Sequence, residues 1–219
     1  MKKSIVIFGN GQVAEVAFWY LRQTLPRLVA AFTVDAAYIE KDTFHGKPVV
    51  PFETVEELFP PDRYQMSVMA SYQQVNRLRQ KKYEEAKAKG YEFLTYVHPN
   101  TRNYGTVGEN CFIFEDNVIQ PFVTIGNNCI LWSGNHIGHH TTVGDHCFIA
   151  SHVVVSGACD IGNNTFIGVN ATLRDNISIG PACVIGAGAL VLRDTPKDTV
   201  LLGHEAIVGR KKSYQLRRI

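Results

Sequence analysis

No stretch of this sequence approaches the ~18 consecutive apolar residues that a membrane-spanning helix requires. The basic start, Met1-Lys2-Lys3, is followed by an apolar run that stops at Phe8. That run is too short for a secretory leader, and no small-residue cleavage site follows it. The expectation is a cytoplasmic protein with no membrane partner. Charge is also sparse: 22 Lys and Arg against 20 Asp and Glu leave a net charge of +2. So mild a balance gives no basic surface for nucleic acid. Cysteine is present five times, an odd count. In a cytoplasmic chain that favours reduced, buried thiols acting as small hydrophobes over a disulfide framework. Apolar residues make up 45% of the 219, which is enough to fill a core.

What the sequence does have is a period. Every sixth residue from Val107 to Val191 is Val, Ile or Leu, through Ile113, Ile119, Ile125, Leu131, Ile137 and onward without a slip. Unbroken six-residue self-similarity predicts a parallel β-helix in which three hexads close one triangular coil. The array holds about five coils, stacked at roughly the 4.8 Å strand spacing. Gly often follows the aliphatic residue, as at Gly108, Gly126, Gly138, Gly144, Gly162, Gly168, Gly180 and Gly186. The expectation is that these glycines supply backbone angles that other residues avoid at a corner. Cys111, Cys129, Cys147, Cys159 and Cys183 each lie four residues after an aliphatic position, a place that takes small inward side chains. The residue before the aliphatic faces outward. On one face this gives an apolar ladder of Phe112, Ile130, Phe148, Phe166 and Val184. Such a patch is large for a monomer, and the expectation is cover by neighbouring subunits in a closed ring, most simply a homotrimer. The alternative cover is loops or the N-terminal domain.

The first hundred residues read differently. Ser4–Phe8 is a short buried strand, followed by the Gly9-Asn10-Gly11 turn with G-x-G-x-x-A spacing, and then a helical run over Val13–Leu25. Glycines there let the backbone approach a diphosphate, whose charge the helix N-terminus favours. A second strand over Leu28–Val34 ends at Asp35, an acid placed to bond a ribose hydroxyl. Gln65–Ala70 reads as a third strand and Gln73–Lys89 as a charged helix. The same spacing also builds a strand-to-helix turn with no ligand. Roughly 97 residues leave little room for a dinucleotide fold, so a mononucleotide or nucleotide-sugar site fits the size better. The boundaries read as 1–97 for a Rossmann-like α/β domain, 98–200 for the all-β coil and 201–219 for a tail.

Together the short α/β domain, the His98-Pro99 junction and the hexapeptide array resemble the nucleotide-sugar acyltransferases. These include the bacillosamine and perosamine N-acetyltransferases and the sialic-acid O-acetyltransferase-like proteins. The resemblance rests on Val6–Ala14, Phe32–Asp35, Val97–Pro99, His136–Asp145 and Ile185–Val191. It implies a left-handed β-helix, a homotrimer and transfer of acetyl from acetyl-CoA to an amino group on a UDP-, GDP- or dTDP-linked deoxysugar. By the same resemblance His139 is the general base and Gly157 supplies an oxyanion N–H. CoA runs along the helix near Gly168, Val169, Gly186 and Ala187. Gly9, Asn10, Gly11 and Asp35 hold the nucleotide, and Asn76 and Arg79 reach toward phosphate. O-acylation of a sugar and a non-catalytic nucleotide-binding scaffold are the alternatives.

Three positions depart from the family pattern. His140 follows the base where an acid is usual, as orienting partner or alternative base. Phe148 stands where a second His is usual. Gly203-His204-Glu205-Ala206 lacks the Pro of a G-x-P-A motif.

The chemistry is simple. An amine must lose a proton as it attacks a thioester, and an imidazole suits that task near neutral pH. Five of the eight histidines crowd into His136, His139, His140, His146 and His152. The plain alternative for each is a solvated β-helix corner. No two histidines are spaced by 5 or 36, as the zinc enzymes built on this coil require, so no metal is expected. The basic tail residues Arg210, Lys211, Lys212, Arg217 and Arg218 read as a solvated end, or as a contact for the CoA 3′-phosphate.

Overall fold

The computed structural model describes residues 3–25, 28–206, 208 and 212–215. Of the basic tail, only Lys212 falls among them, so the reading of Arg210, Lys211, Arg217 and Arg218 lies outside the described residues. The chain opens with β1 (Ser4–Phe8), α1 (Gln12–Thr24), β2 (Val29–Val34), β3 (Thr43–Phe44), β4 (Lys47–Pro51), α2 (Val55–Leu58), β5 (Tyr64–Val68) and α3 (Arg77–Ala88). The sheet order is β3-β4-β2-β1-β5. β1, β2, β4 and β5 run parallel, and β3 folds back antiparallel on β4. Ile5, Val6 and Ile7 are fully buried, as a central parallel strand covered on both faces demands. The β3–β4 hairpin was not foreseen, because its strands are short and interrupted by Pro48 and Pro51. Among the described residues no helix is long and apolar enough to cross a membrane.

Tyr96–Val97 opens the β-helix by pairing with Phe112–Ile113. From there two-residue strands stack in three parallel sheets of seven, six and five strands. Register is 18 residues through the body of the coil, as in Ile130↔Phe148↔Phe166↔Val184 and Val118↔His136↔Val154↔Thr172↔Leu190, and 16 at its ends, as in Tyr96↔Phe112, Arg102↔Val118 and Val184↔Val200. The aliphatic column and all five cysteines form one core. The thiols are free and buried, and donate to corner carbonyls of the next coil, Cys111 to Gly126 at 3.0 Å and Cys129 to Gly144 at 3.2 Å.

Two expectations are corrected. The glycines that follow the aliphatic residue do not adopt positive φ. They are small because the next coil lies on them. A Cβ on Gly138 would stand 2.6 Å from the Gly157 nitrogen, and one on Gly168 would stand 2.6 Å from the Ala187 nitrogen. The left-handed residue of each corner comes three places after the aliphatic, at Asn110, Asn128, His140, His146, His152, Asn164, Asn170 and Asn176, among others. Asn and His are among the residues that tolerate this conformation best. Three of the clustered histidines therefore occupy a conformational column of the coil.

The second correction concerns the apolar ladder, whose rungs Phe112, Ile130, Phe148 and in part Phe166 the N-terminal domain of the same chain covers, while Val184 lies outside that cluster. Phe112, Ile130 and Phe148 are 1%, 1% and 3% exposed. They pack in one cluster with Ile5, Ile7, Ala14, Phe18, Leu21 and Phe32 of the α/β domain. Burying each such side chain stabilises the docked state by roughly 1.5–3 kcal/mol. The buried rungs thus give no argument for a subunit interface.

Candidate functional site

Two adjoining cavities open on the α/β domain, the first lined by that domain alone and the second lying between it and the β-helix. The first, of about 760 Å³, is bordered by Gly9, Asn10, Gly11, Asp35, Tyr38 and Lys82. Its floor is the β1–α1 turn. Gly9 has φ +125, and a Cβ there would stand 3.1 Å from the Met69 carbonyl oxygen, so no larger residue fits. Gly11 caps α1 with open space above it. The uncapped N-terminus presents free N–H groups to an anion. Asn10 Nδ2 donates to the Tyr38 carbonyl at 3.1 Å, tying the turn to the loop after β2. Asp35 accepts from Lys82 Nζ at 2.5 Å. Burial pulls the Lys82 ammonium down, but its bonds to Asp35 and Glu85 outweigh that and raise it above its ordinary value. The sequence reading missed Tyr38, Gln73, Lys81 and Lys82 as cleft residues. The signal was faint, since two of them sit on a helix that reads as generally charged.

The second cavity, of about 730 Å³, shares Gln12, Val13 and Ser71 with the first. It runs to the β-helix corner at Gly168, Val169 and Ala187, and its wall is Tyr72, Phe148 and Phe166. Tyr72 lies 5.1 Å from the Phe148 ring and 5.0 Å from Phe166. Gly186 precedes Ala187 on the same corner. The positions expected to meet the nucleotide and those expected to meet CoA therefore line neighbouring cavities that share Gln12, Val13 and Ser71.

Asn76 and Arg79 do not reach toward phosphate; that expectation is corrected. Both are fully buried and clamp the domain onto the coil. Arg79 donates from Nε to the Asn128 carbonyl at 3.2 Å and from Nη2 to the carbonyls of His146 and Cys147 at 2.7 and 3.0 Å. Asn76 Nδ2 donates to the carbonyls of Asn164 and Thr165, and its Oδ1 accepts from Arg79. Burial pulls the guanidinium down to about 10, still charged at neutral pH. Beside the clamp, Asn110 Oδ1 accepts from the Val68 N–H of β5, and a side-chain ladder continues through Asn128 to His146.

His139, His140 and Gly157 come together at a different corner. Strands 136–137 and 142–143 flank His139 and His140, whereas the CoA positions lie between strands 166–167 and 172–173 (Gly168, Val169) and, one coil on, between 184–185 and 190–191 (Gly186, Ala187). His139 is exposed and borders neither cavity. Its backbone N–H donates to Gln120 Oε1 at 2.8 Å. Its ring lies over Gly157, where a Cβ would stand 2.7 Å from Cε1 and 2.8 Å from Nε2. The Gly157 N–H has no acceptor among the described residues. His139 and His140 approach Nδ1 to Nδ1 at 3.0 Å. His146 is buried and bonded to Asn128, and burial lowers its imidazole below the ordinary value. It stays neutral and structural. His152 packs its ring onto Gly134. Among the described residues no three His, Cys, Asp or Glu side chains gather as metal ligands do.

Residues 105–138 and 158–193 match the family model for the bacterial transferase hexapeptide (six repeats). No curated protein matches the sequence. Among solved structures, the chain is similar to a mutant perosamine N-acetyltransferase from Caulobacter crescentus in complex with CoA and GDP-perosamine. Identity is 25%, coverage 93% of this chain and 95% of that one, and the TM-score 0.83. WeeI from Acinetobacter baumannii AYE follows the same left-handed β-helix and leading α/β domain at 20% identity, covering 92% and 97%, with a TM-score of 0.72. So does the acetyltransferase domain of PglB from Neisseria gonorrhoeae FA1090, at 19% identity, 92% and 97% coverage and a TM-score of 0.61. These last two likenesses speak for the fold alone.

Proposed function

We propose that this chain, which carries the bacterial transferase hexapeptide repeat over residues 105–138 and 158–193, is an acetyl-CoA-dependent sugar acetyltransferase of the nucleotide-sugar acyltransferase family and that it N-acetylates a nucleotide-linked amino sugar. The observation that carries this reading is the pair of adjoining cavities, one at the glycine turn and one reaching the Val169–Ala187 corner, that share Gln12, Val13 and Ser71. A ligand with its diphosphate on the α1 N-terminus extends its sugar toward that corner. The likeness to an enzyme that holds CoA and GDP-perosamine supports the same assignment. Residues 1–97 hold the nucleotide sugar and 98–200 the acyl-CoA, with 201–219 as a tail.

His139 is the general base. Its Nε2 takes the proton of the sugar amine as the nitrogen attacks the thioester carbon. The Gly157 N–H, without an acceptor among the described residues, donates to the developing oxyanion. The C–S bond then breaks, and the proton passes from imidazole to the departing thiolate. Each of the two groups contributes on the order of a hundredfold in rate. The imidazole corner and the cavity mouth lie on different edges of the prism. One copy therefore does not complete the site, and a homotrimer that sets one copy's His139 against its neighbour's opening does.

The experiment is to incubate the protein with acetyl-CoA and a panel of UDP-, GDP- and dTDP-linked amino sugars and to follow free thiol. Thiol release that depends on one of these sugars, lost in His139→Ala, is the expected result. Release only with sugars that carry a hydroxyl and no amine would mean O-acylation. Tight nucleotide binding with no release would leave a scaffold.

A further inference from the structure

His140 follows the proposed base directly, and its ring lies between that of His139 and that of Phe122 in reach of both. We infer that His140 is the positioning residue of this site. It accepts a hydrogen bond from His139 Nδ1–H and so fixes the tautomer that leaves His139 Nε2 free to act. The inference rests on the reading of His139 as base and deepens it.

Four observations converge. The two Nδ1 atoms are 3.0 Å apart, so one ring donates and the other accepts. A base that works through Nε2 must carry its own proton on Nδ1, which makes His139 the donor. His140 is locked in the left-handed region, φ 58, by the coil itself, which uses that conformation at this place in every corner. Its ring is held from the far side by Phe122, with centroids 4.7 Å apart. The His139 ring rests in turn on Gly157, and the Gln120 bond to its N–H holds the backbone that carries it. Neither imidazole is free to turn without losing one of these contacts. A neutral acceptor holds the ring through direction, with no negative charge to stabilise the imidazolium. When the amine proton arrives at Nε2, the positive charge on His139 is shared across the Nδ1–Nδ1 bond with a second imidazole, and no proton leaves the pair until the thiolate takes it.

Position 140 is suited to a clean test because the same corner place holds Gly at 134 and 188 and Asn at 110, 128, 164, 170 and 176. His140→Gly therefore removes the ring without backbone strain, and His140→Asn keeps an acceptor oxygen in a conformation that Asn adopts elsewhere in this coil. The expected result for His140→Gly is a kcat lower by on the order of 10²-fold, the cost of a misaligned base, with KM unchanged for both substrates. His140→Asn recovers most of that loss. Nitrogen-15 NMR of the imidazoles in the intact protein is expected to show His139 protonated on Nδ1, and a mixture of tautomers in His140→Gly. Full kcat in His140→Gly, or an Nε2-protonated His139 in the unmutated protein, would overturn the inference. The NMR readout needs no turnover. It judges the hydrogen bond even where no sugar in the panel is acetylated, which is the failure of the enzymatic reading and not of this one.

Discussion

Replacing Arg79 by Met should unseat the α/β domain from the coil. Arg79 is fully buried and gives the carbonyls of Asn128 and His146 their hydrogen bonds, while Cys147 already accepts from Ile130. Met fills much of the same volume but donates nothing. Two buried carbonyls lose their partner, at about 1–3 kcal/mol each. Asn76 Oδ1 also loses its donor. Relief from burying a guanidinium offsets part of this, leaving a net loss of about 3–5 kcal/mol. For a chain of this size each kcal/mol moves the melting midpoint by about 2–4 °C, so the first transition should fall by roughly 6–20 °C. Scanning calorimetry reads this directly. The KM for the nucleotide sugar should rise, because α3 carries Leu78, Lys81 and Lys82 into the first cavity. An Arg79→Met variant that melts within about 2 °C of the original would refute the clamp.

Other outcomes follow from the same contacts. Gly157→Ala places a methyl 2.7 Å from His139 Cε1; stopped-flow or steady-state assays should show kcat down by at least about tenfold with nucleotide affinity unchanged by calorimetry. Co-expression of His139→Ala with a variant blocked in the nucleotide turn, Gly11→Trp, should restore part of the activity that each lacks alone, since mixed assemblies pair an intact imidazole with an intact cleft; no recovery would place the whole site within one copy. Burial pushes the Glu109 carboxyl up, but hydrogen bonds from Lys87 and Tyr83 outweigh it and hold the group below its ordinary value. The stability it contributes is present above the unfolded carboxylate range of about 4.3 and is lost as pH falls through the lower folded value. Thermal midpoints measured against pH should therefore drop less steeply in that acid window for Glu109→Gln than for the unmutated chain.

Much of the fold is legible because the coil repeats one decision many times. An aliphatic residue every six places, a small one four later and an 18-residue return leave little freedom, and the cysteines obey the same register. The glycine turn at Gly9–Gly11 and the acid at Asp35 are equally local signals, and the structure places them on one cleft. What stayed hidden depends on contacts between distant segments. Phe112, Ile130 and Phe148 announce that something covers them, and nothing in their spacing says whether it is another copy or the chain's own first domain. Arg79 carries the same formal charge on a phosphate site as on a row of carbonyls. Only the docking of α3 against the corner at Asn128 and His146 decides between them. The role of the corner glycines was misread because proximity to the next coil and an unusual φ leave the same residue in the sequence.

A crystal structure of the protein with CoA and a nucleotide-linked amino sugar tests the central claim most directly. The account predicts that the sugar nitrogen lies within about 2.6–3.2 Å of His139 Nε2 contributed by an adjacent copy, with the diphosphate on the Gly9–Gly11 turn. A sugar nitrogen resting with no imidazole in reach, or a diphosphate bound away from that turn, would contradict it.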